Sequence, residues 1–178
     1  MLFDLSASET SPLCLSEQDV AALAACGRGT IVLDVAVRAD ATLMEFTGTN
    51  GRITLSLRAG RLDGEQVLGA VGLPEEAPGV GSESGIQRRV LDAEDALGLD
   101  DGRPHTIAIT VNETGTHLYA DGYECFSTTL TAFLAQIGLT DVRIDPDGIA
   151  TVSRLAAWAE PLSDRAVMAQ SLAATPLV

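Results

Sequence analysis

Eleven arginines and no lysine carry the permanent positive side-chain charge of this 178-residue chain, against 25 carboxylates. A small anion held by side chains here is therefore held by guanidinium, whose planar fork grips a carboxylate through two parallel N–H donors. Five arginines are candidates for such a fork: Arg58, Arg61, Arg88, Arg89 and Arg143, with Glu65 and Tyr123 as polar company. The competing reading is that each arginine pairs with a carboxylate on a solvated face. Arg88 and Arg89 are adjacent in an expected strand, where only one of two neighbours faces a given surface.

Asp141, Asp145 and Asp147, followed by Gly148, resemble an oxygen-rich loop for a hard cation such as calcium. The spacing is not that of an EF-hand, and Asp-Pro-Asp-Gly is also a good turn in its own right. His105 and His117 fall on neighbouring expected strands and would share a metal only if their faces matched. No cofactor is expected. Glycoside hydrolysis needs two carboxylates across a cleft. The adjacent pairs Glu75-Glu76 and Asp100-Asp101 fall in expected loops and read as solvated charge. With no phosphate-binding loop and no nucleophile elbow, the chain is expected not to be an enzyme by itself.

The formal net charge of −14 argues against phosphate backbones and anionic membrane surfaces, so neither nucleic acid nor membrane is an expected partner. No apolar run reaches the roughly 18 residues of a membrane span. The N-terminal stretch lacks the basic start and long apolar run of a signal peptide. That leaves a cytoplasmic chain, or an exported one whose leader has been removed. Three cysteines, Cys14, Cys26 and Cys125, are too few for a disulfide scaffold, although Cys14 and Cys26 could pair across a short helix in an exported chain.

These groups need a scaffold, and the period of the apolar residues supplies one. Residues 105–128 read as three antiparallel strands. Ile107, Ile109 and Val111 alternate, a turn follows at Asn112–Gly115, then Leu118 and Ala120 lead into an Asp121-Gly122 turn. Residues 1–15 look extended, as an edge strand would. Ser16 caps a short helix with Val20, Leu23 and Ala24 on one face, stopping at Gly27. Ile31, Leu33, Val35 and Val37 then alternate, and strands near 43–47 and 52–57 are divided by Asn50-Gly51.

Residues 69–85 lack periodicity and read as a long loop, 86–91 as a strand and 92–101 as an acidic loop. Leu130, Phe133, Leu134 and Ile137 lie at helical spacing, with Thr128 or Thr129 as cap and Gly138 as stop. Strands over 141–144 and 149–158 and a helix capped by Ser163 complete the chain. Short strands with turn signals every eight to twelve residues favour an all-β, antiparallel β-sandwich with a few short peripheral helices. One domain over 1–178 is expected, large enough to bury roughly 70% of its unfolded surface. The expected core is Ile31, Leu33, Val35, Leu55, Ile107, Ile109, Val111, Leu118, Phe133, Val142, Leu155 and Trp158.

A strand ending in Thr110-Val111, a turn, and then Leu118-Tyr119-Ala120-Asp121-Gly122 resembles the centre of the concanavalin-like, laminin G-like jelly rolls. The order of the pieces is closer still to the sialidase-associated, family-forty carbohydrate-binding module: LSEQDVAALAACG, GTIVLDVAVR, the 105–122 hairpin, FLAQIGLTDVRI, and GIATVSRLAAWAEPLSD. The resemblance covers roughly residues 15–170. It implies a non-catalytic jelly-roll lectin that binds terminal sialic acid, accompanies a catalytic domain or partner protein, and is secreted or displayed at a cell surface.

In that family paired arginines hold the sugar carboxylate. One lies on the strand after a Gly-x-Leu-x-x-Glu turn, matched here by Gly60 to Glu65, and one in the loop after the Ile-Gly-Leu strand. Val67 stands near the first arginine position, and the loop after Ile144 is shortened to 145–148. Sialidase propeller motifs are absent from the sequence. The other reading of the same fold is a structural or partner-docking domain without sugar binding, and a jelly-roll glycoside hydrolase is the third.

Overall fold

The structure, a computed structural model, describes residues 1–6, 13, 15–69, 87–92 and 97–174, with the backbone alone at 87–92 and 174. In chain order the elements are β1 (Phe3–Ser6), α1 (Glu17–Ala24), β2 (Gly29–Ala36), β3 (Ala41–Gly48), β4 (Gly51–Arg58), β5 (Arg61–Leu68) and β6 (Gln87–Asp92). There follow β7 (Pro104–Val111), β8 (Thr116–Ala120), β9 (Tyr123–Thr128), α2 (Leu134–Ile137), β10 (Leu139–Ile144), β11 (Thr151–Trp158) and α3 (Asp164–Ala174). The strands form two antiparallel sheets, ordered β1-β11-β2-β7-β8-β9 and β10-β3-β4-β5-β6. The expected antiparallel sandwich is what forms.

Alternation builds the core between the sheets. Ile31, Leu33 and Val35 from β2, Ile107, Ile109 and Val111 from β7, and Leu118 from β8 meet Phe46, Ile53, Leu55, Leu57 and Leu62 from the other sheet, all buried. Ten of the twelve expected core residues are fully buried, while Val142 is half-buried. Trp158 is also half-buried because it belongs to a second, smaller cluster with Val32, Ala108, Tyr119, Leu162 and Val167. That cluster is where α3 covers the outer face of the six-stranded sheet. Asp121 and Gly122, at φ 50° and 84°, turn tightly between β8 and β9. A Cβ on Gly122 would lie 2.7 Å from Met168 Cα, so glycine here lets α3 approach.

The helices follow local chemistry. Ser16 Oγ accepts from Asp19 N at 3.2 Å while Asp19 Oδ2 accepts from Ser16 N at 2.9 Å, a capping box that starts α1. Its C-cap is Ala25, two residues before the expected Gly27. The helix expected from the spacing of Leu130 to Ile137 shrinks to Leu134–Ile137. Thr116 Oγ1 donates to the Leu130 carbonyl at 2.7 Å and Gln66 Nε2 to the Ala132 carbonyl at 3.0 Å, so strand side chains claim acceptors that a helix would use. The β3–β4 hairpin turns at Thr49-Asn50, since Gly48 pairs with Gly51, one residue earlier than expected. Cys26 is buried and its Sγ donates to the Ala22 carbonyl; Cys14, with which it could pair in an exported chain, lies outside the described residues.

His105, at the start of β7, has one ring nitrogen 2.8 Å from Asp121 Oδ2 and the other 3.1 Å from Asp101 Oδ1. His117 engages a different carboxylate, Glu124, at 3.1 Å, so the two histidines do not form a metal pair. Burial opposes a charge on His105, but the hydrogen bonds and charges of Asp121 and Asp101 outweigh it and raise its pKa above the ordinary 6.5. A raised folded pKa means that its stabilisation is fully present below about 6.5 and fades as pH rises through the folded value. His105→Asn is accordingly expected to destabilise more at pH 6 than at pH 8.5 in urea unfolding. An equal loss at both would show that the charge contributes nothing.

Candidate functional site

Among the described residues the outer face of the five-stranded sheet bears no helix, and its side chains follow from strand register. Because Ile53, Leu55 and Leu57 point into the core, Arg52, Thr54, Ser56 and Arg58 of β4 point outward. Across the sheet, Arg143, Glu45, Thr54 and Glu65 form one row. Asp141, Thr47, Arg52 and Val67 form the next, and Thr42, Ser56 and Asp63 a third. Arg58 and Arg61 pair at the far end of the hairpin. The rows enclose an open depression of about 610 Å³ lined by Thr42, Glu45, Arg52, Thr54, Ser56, Asp63, Gly64, Glu65, Arg143, Pro146 and Asp147.

Two kinds of polar group line it. The first are fixed by protein partners. Arg52 Nη2 lies 2.7 Å from Glu65 Oε2, and Arg143 Nε lies 3.1 Å from Asp141 Oδ2, both arginines being more than half exposed. Asp147 Oδ2 accepts from Thr42 N at 2.9 Å, tying the 145–148 turn across the start of β3. That hydrogen bond, with a smaller contribution from the charge of Arg58, lowers the pKa of Asp147. The second kind are the side chains of Glu45, Thr54, Ser56 and Asp63, which have no hydrogen-bond or ion-pair partner among the described residues. Ser56 is only 6% exposed and still lines the depression. The polar atoms of these side chains are open to solvent, since the one buried side-chain polar atom without a partner among the described residues is Gln66 Oε1. Hydroxyls of a sugar can both donate to and accept from such a face.

Of the residues singled out from sequence, Glu65 and Arg143 lie in the depression. Arg58 and Arg61 lie beyond its end, flanking the Ala59-Gly60 turn. Arg88 and Arg89 stand in register opposite Val67 and Gln66, and their side chains lie outside the described residues. Tyr123 does not join this group: β9 belongs to the other sheet, where Tyr123 is 70% exposed beside a separate pocket of about 200 Å³ with Leu97, Ala120, Glu124 and Cys125. Cys125 in that pocket is no reactive thiol, since burial pushes its pKa up to about 11.

Arg52 was not among the sequence candidates. It stands directly across from Val67, so a guanidinium from β4 occupies the neighbourhood where the resemblance places an arginine on β5. The polar alternation Arg52, Thr54, Ser56 was the available signal.

The calcium candidates do not converge on a cation. Asp141 is paired with Arg143, Asp147 with Thr42, and Asp145 Oδ1 accepts from the amides of Ile149 and Ala150 at 3.0 Å each. Among the described residues no three His, Cys, Asp or Glu side chains gather as a metal-binding group. No described helix is long and apolar enough to cross a membrane.

No protein-family model matches the sequence, and no curated protein is similar to it in sequence. Solved structures are similar in shape. The carbohydrate-binding module of a Ruminococcus gnavus IT-sialidase, bound to α2,3 sialyllactose, aligns over 96% of this chain and 98% of its own, with a TM-score of 0.62 and 18% identity. The binding domain of botulinum neurotoxin DC, in complex with SialylT, aligns over 97% of this chain and 40% of its own, with a TM-score of 0.58 and 11% identity. Mouse laminin α1 domains LG4-5 align over 79% of this chain and 38% of their own, with a TM-score of 0.52 and 17% identity. The fold is a jelly-roll β-sandwich. At these identities the likeness is one of fold. Among the described residues one sheet face is left open, while α3 covers the corresponding face of the other sheet.

Proposed function

We propose that this chain is a non-catalytic carbohydrate-binding domain that takes its glycan on the outer face of the five-stranded sheet. The observation that carries the reading is the set of open polar side chains, Glu45, Thr54, Ser56 and Asp63, in one depression with the guanidiniums of Arg52 and Arg143. Sugar hydroxyls donate and accept at once and satisfy such a surface without an aromatic platform, which fits a chain with only seven aromatic residues. The finer reading is a terminal sialic acid or related acidic sugar, its carboxylate taken by Arg143 with Arg52 beside it. Two structures of the same fold, the sialidase module and the neurotoxin domain, carry sialylated ligands. On this reading the chain is one domain over 1–178 that accompanies a catalytic domain.

Charge-assisted hydrogen bonds at a solvated site are partly offset by ordering, so affinity for a sialoside should be weak, about 0.1–1 mM, or roughly 4–5.5 kcal/mol. Titration of α2,3-sialyllactose should give that affinity in the native chain, and Arg143→Ala should weaken it at least about tenfold, the loss of one such bond. Undiminished binding by Arg143→Ala would remove the acidic-sugar reading.

A second reading has one observation in its favour. Glu45 and Glu65 stand on either side of Thr54, two strand spacings or roughly 9.5 Å apart, near the carboxylate separation of inverting glycosidases. Such an enzyme needs one carboxyl free to face the leaving group, whereas Glu65 is ion-paired with Arg52 at 2.7 Å. Absence of reducing-sugar release from a glycan panel by the purified chain is the expected result, and turnover lost in Glu65→Gln would reverse the assignment.

A further inference from the structure

Resting on the carbohydrate-binding reading, we infer that the centre of this depression is a subsite for an amino sugar with a free ammonium group, bounded by Glu45 and Asp63 over a floor of Thr54 and Ser56. Each arginine of the depression already has a carboxylate beside it, Glu65 at Arg52 and Asp141 at Arg143. Glu45 and Asp63 are half-buried and have no partner among the described residues. An ionised carboxylate offers acceptors only, so these two positions call for donors, and a cation satisfies them best. Ser56 gives the second, independent sign. It is nine-tenths buried, points into the depression by strand alternation, and its hydroxyl likewise has no partner among the described residues.

Geometry favours a ring over a flexible amine. Ser56 and Asp63 are direct cross-strand neighbours, while Glu45 pairs with Thr54 one row away. Carboxylate and hydroxyl therefore alternate around a patch about two strand spacings wide, roughly 9.5 Å, which fits the hydroxyls and amine of one pyranose ring better than a single terminal ammonium. The net charge of −14 adds a long-range attraction for a cationic ligand, which salt screens.

The test compares a β1,4-linked glucosamine disaccharide with its N,N′-diacetyl form on the whole chain, by NMR titration at pH 6 in low and high salt. The free amine should bind about fivefold more tightly than the acetylated form, the preference should vanish in the Glu45→Gln/Asp63→Asn double variant, and high salt should erode it several-fold. A control pair distant in sequence, Glu113→Gln/Glu160→Gln, removes the same charge and should leave the preference intact. Equal affinity for the two disaccharides would overturn the inference. So would a preference that survives the double variant, or equally tight binding of the peptide Ala-Lys-Ala. A parallel arm with α2,3-sialyllactose and Arg143→Ala separates the two claims. Sialyllactose bound without an amine preference defeats the subsite alone. An amine preference without sialyllactose binding defeats the acidic-sugar reading alone, and no binding of any sugar defeats both.

Discussion

Replacing Arg154 with Leu is expected to lower the unfolding free energy by about 3–5 kcal/mol at neutral pH, the usual consequence of leaving a buried charge without its partner. For a chain of this length that is a fall in melting temperature of roughly 6–20 °C. Arg154 on β11 donates from Nε and Nη2 to both oxygens of Asp4 on β1 at 2.8 Å and from Nη2 to Gln170 of α3 at 2.8 Å. Its Nη1 also lies 3.7 Å from Oδ2 of Asp34, which is only 4% exposed on β2 and accepts from Thr106 Oγ1 of β7 at 2.7 Å. One guanidinium thus joins the edge strand, the sheet centre and the covering helix.

The effect should depend on pH, because the two carboxylates are shifted in opposite directions. Burial raises the pKa of Asp34 above its ordinary 3.8, despite Thr106 and Arg154, whereas the hydrogen bond from Arg154 lowers that of Asp4. The stabilisation from Asp4 is present above 3.8 and lost as pH falls through its folded value. A raised Asp34 acts in reverse: folding is favoured in acid, and that advantage is lost as pH rises from 3.8 through the folded value. In the leucine variant Asp34 stays buried without its cation, so the penalty should be largest at pH 7 and shrink toward pH 4.5. Urea unfolding at both values measures it. A loss under about 1 kcal/mol at pH 7 would place this pair in the class of solvated surface bridges.

Phe133→Ala is the second large effect, with an expected loss of about 3–5 kcal/mol. Phe133 is 1% exposed, immediately precedes α2, and donates its backbone N–H to Gln136 Oε1 at 3.0 Å. Its ring packs in the main core, where a Cβ on Gly29 at the start of β2 would lie 3.4 Å from it. Since α2 runs directly into β10, which carries Arg143, the cavity should also disturb the proposed sugar site. Phe133→Leu keeps most of the apolar volume and should cost much less. Thermal unfolding checks the first statement, and sialyllactose titration of the alanine variant at low temperature checks the second.

Local pattern made the sheets legible and left their assembly obscure. Alternation in 31–37 and 107–111 gives strands with one buried face whatever they pack against, and Ser16 with Asp19 specifies a helix start within four residues. Residues 129–138 misled because helical spacing of Leu130, Phe133, Leu134 and Ile137 says nothing of Thr116 and Gln66, distant side chains that capture the carbonyls of Leu130 and Ala132. The site was half legible for the same reason. Glu65 and Arg143 were recognisable from the motifs around them, but their meeting depends on the order β10-β3-β4-β5, which brings Arg143, Glu45, Thr54 and Glu65 into one row. Tyr123 was grouped with the arginines because chain order does not say which sheet a strand joins, and β9 joins the other one. Arg52 passed unnoticed because its partner position, Val67, becomes its neighbour only through hairpin register.

The claim that the open face of the five-stranded sheet is the ligand surface is tested most directly by mapping amide shifts of the labelled chain during titration with α2,3-sialyllactose to 10 mM. Perturbed amides are expected on β3, β4, β5 and β10, centred on Glu45, Thr54, Ser56 and Arg143, with affinity nearly flat in salt for this acidic ligand. Shifts confined to Tyr123, Leu97 and the exposed side of α3, or none at 10 mM, would contradict it and leave a partner-docking domain as the better description.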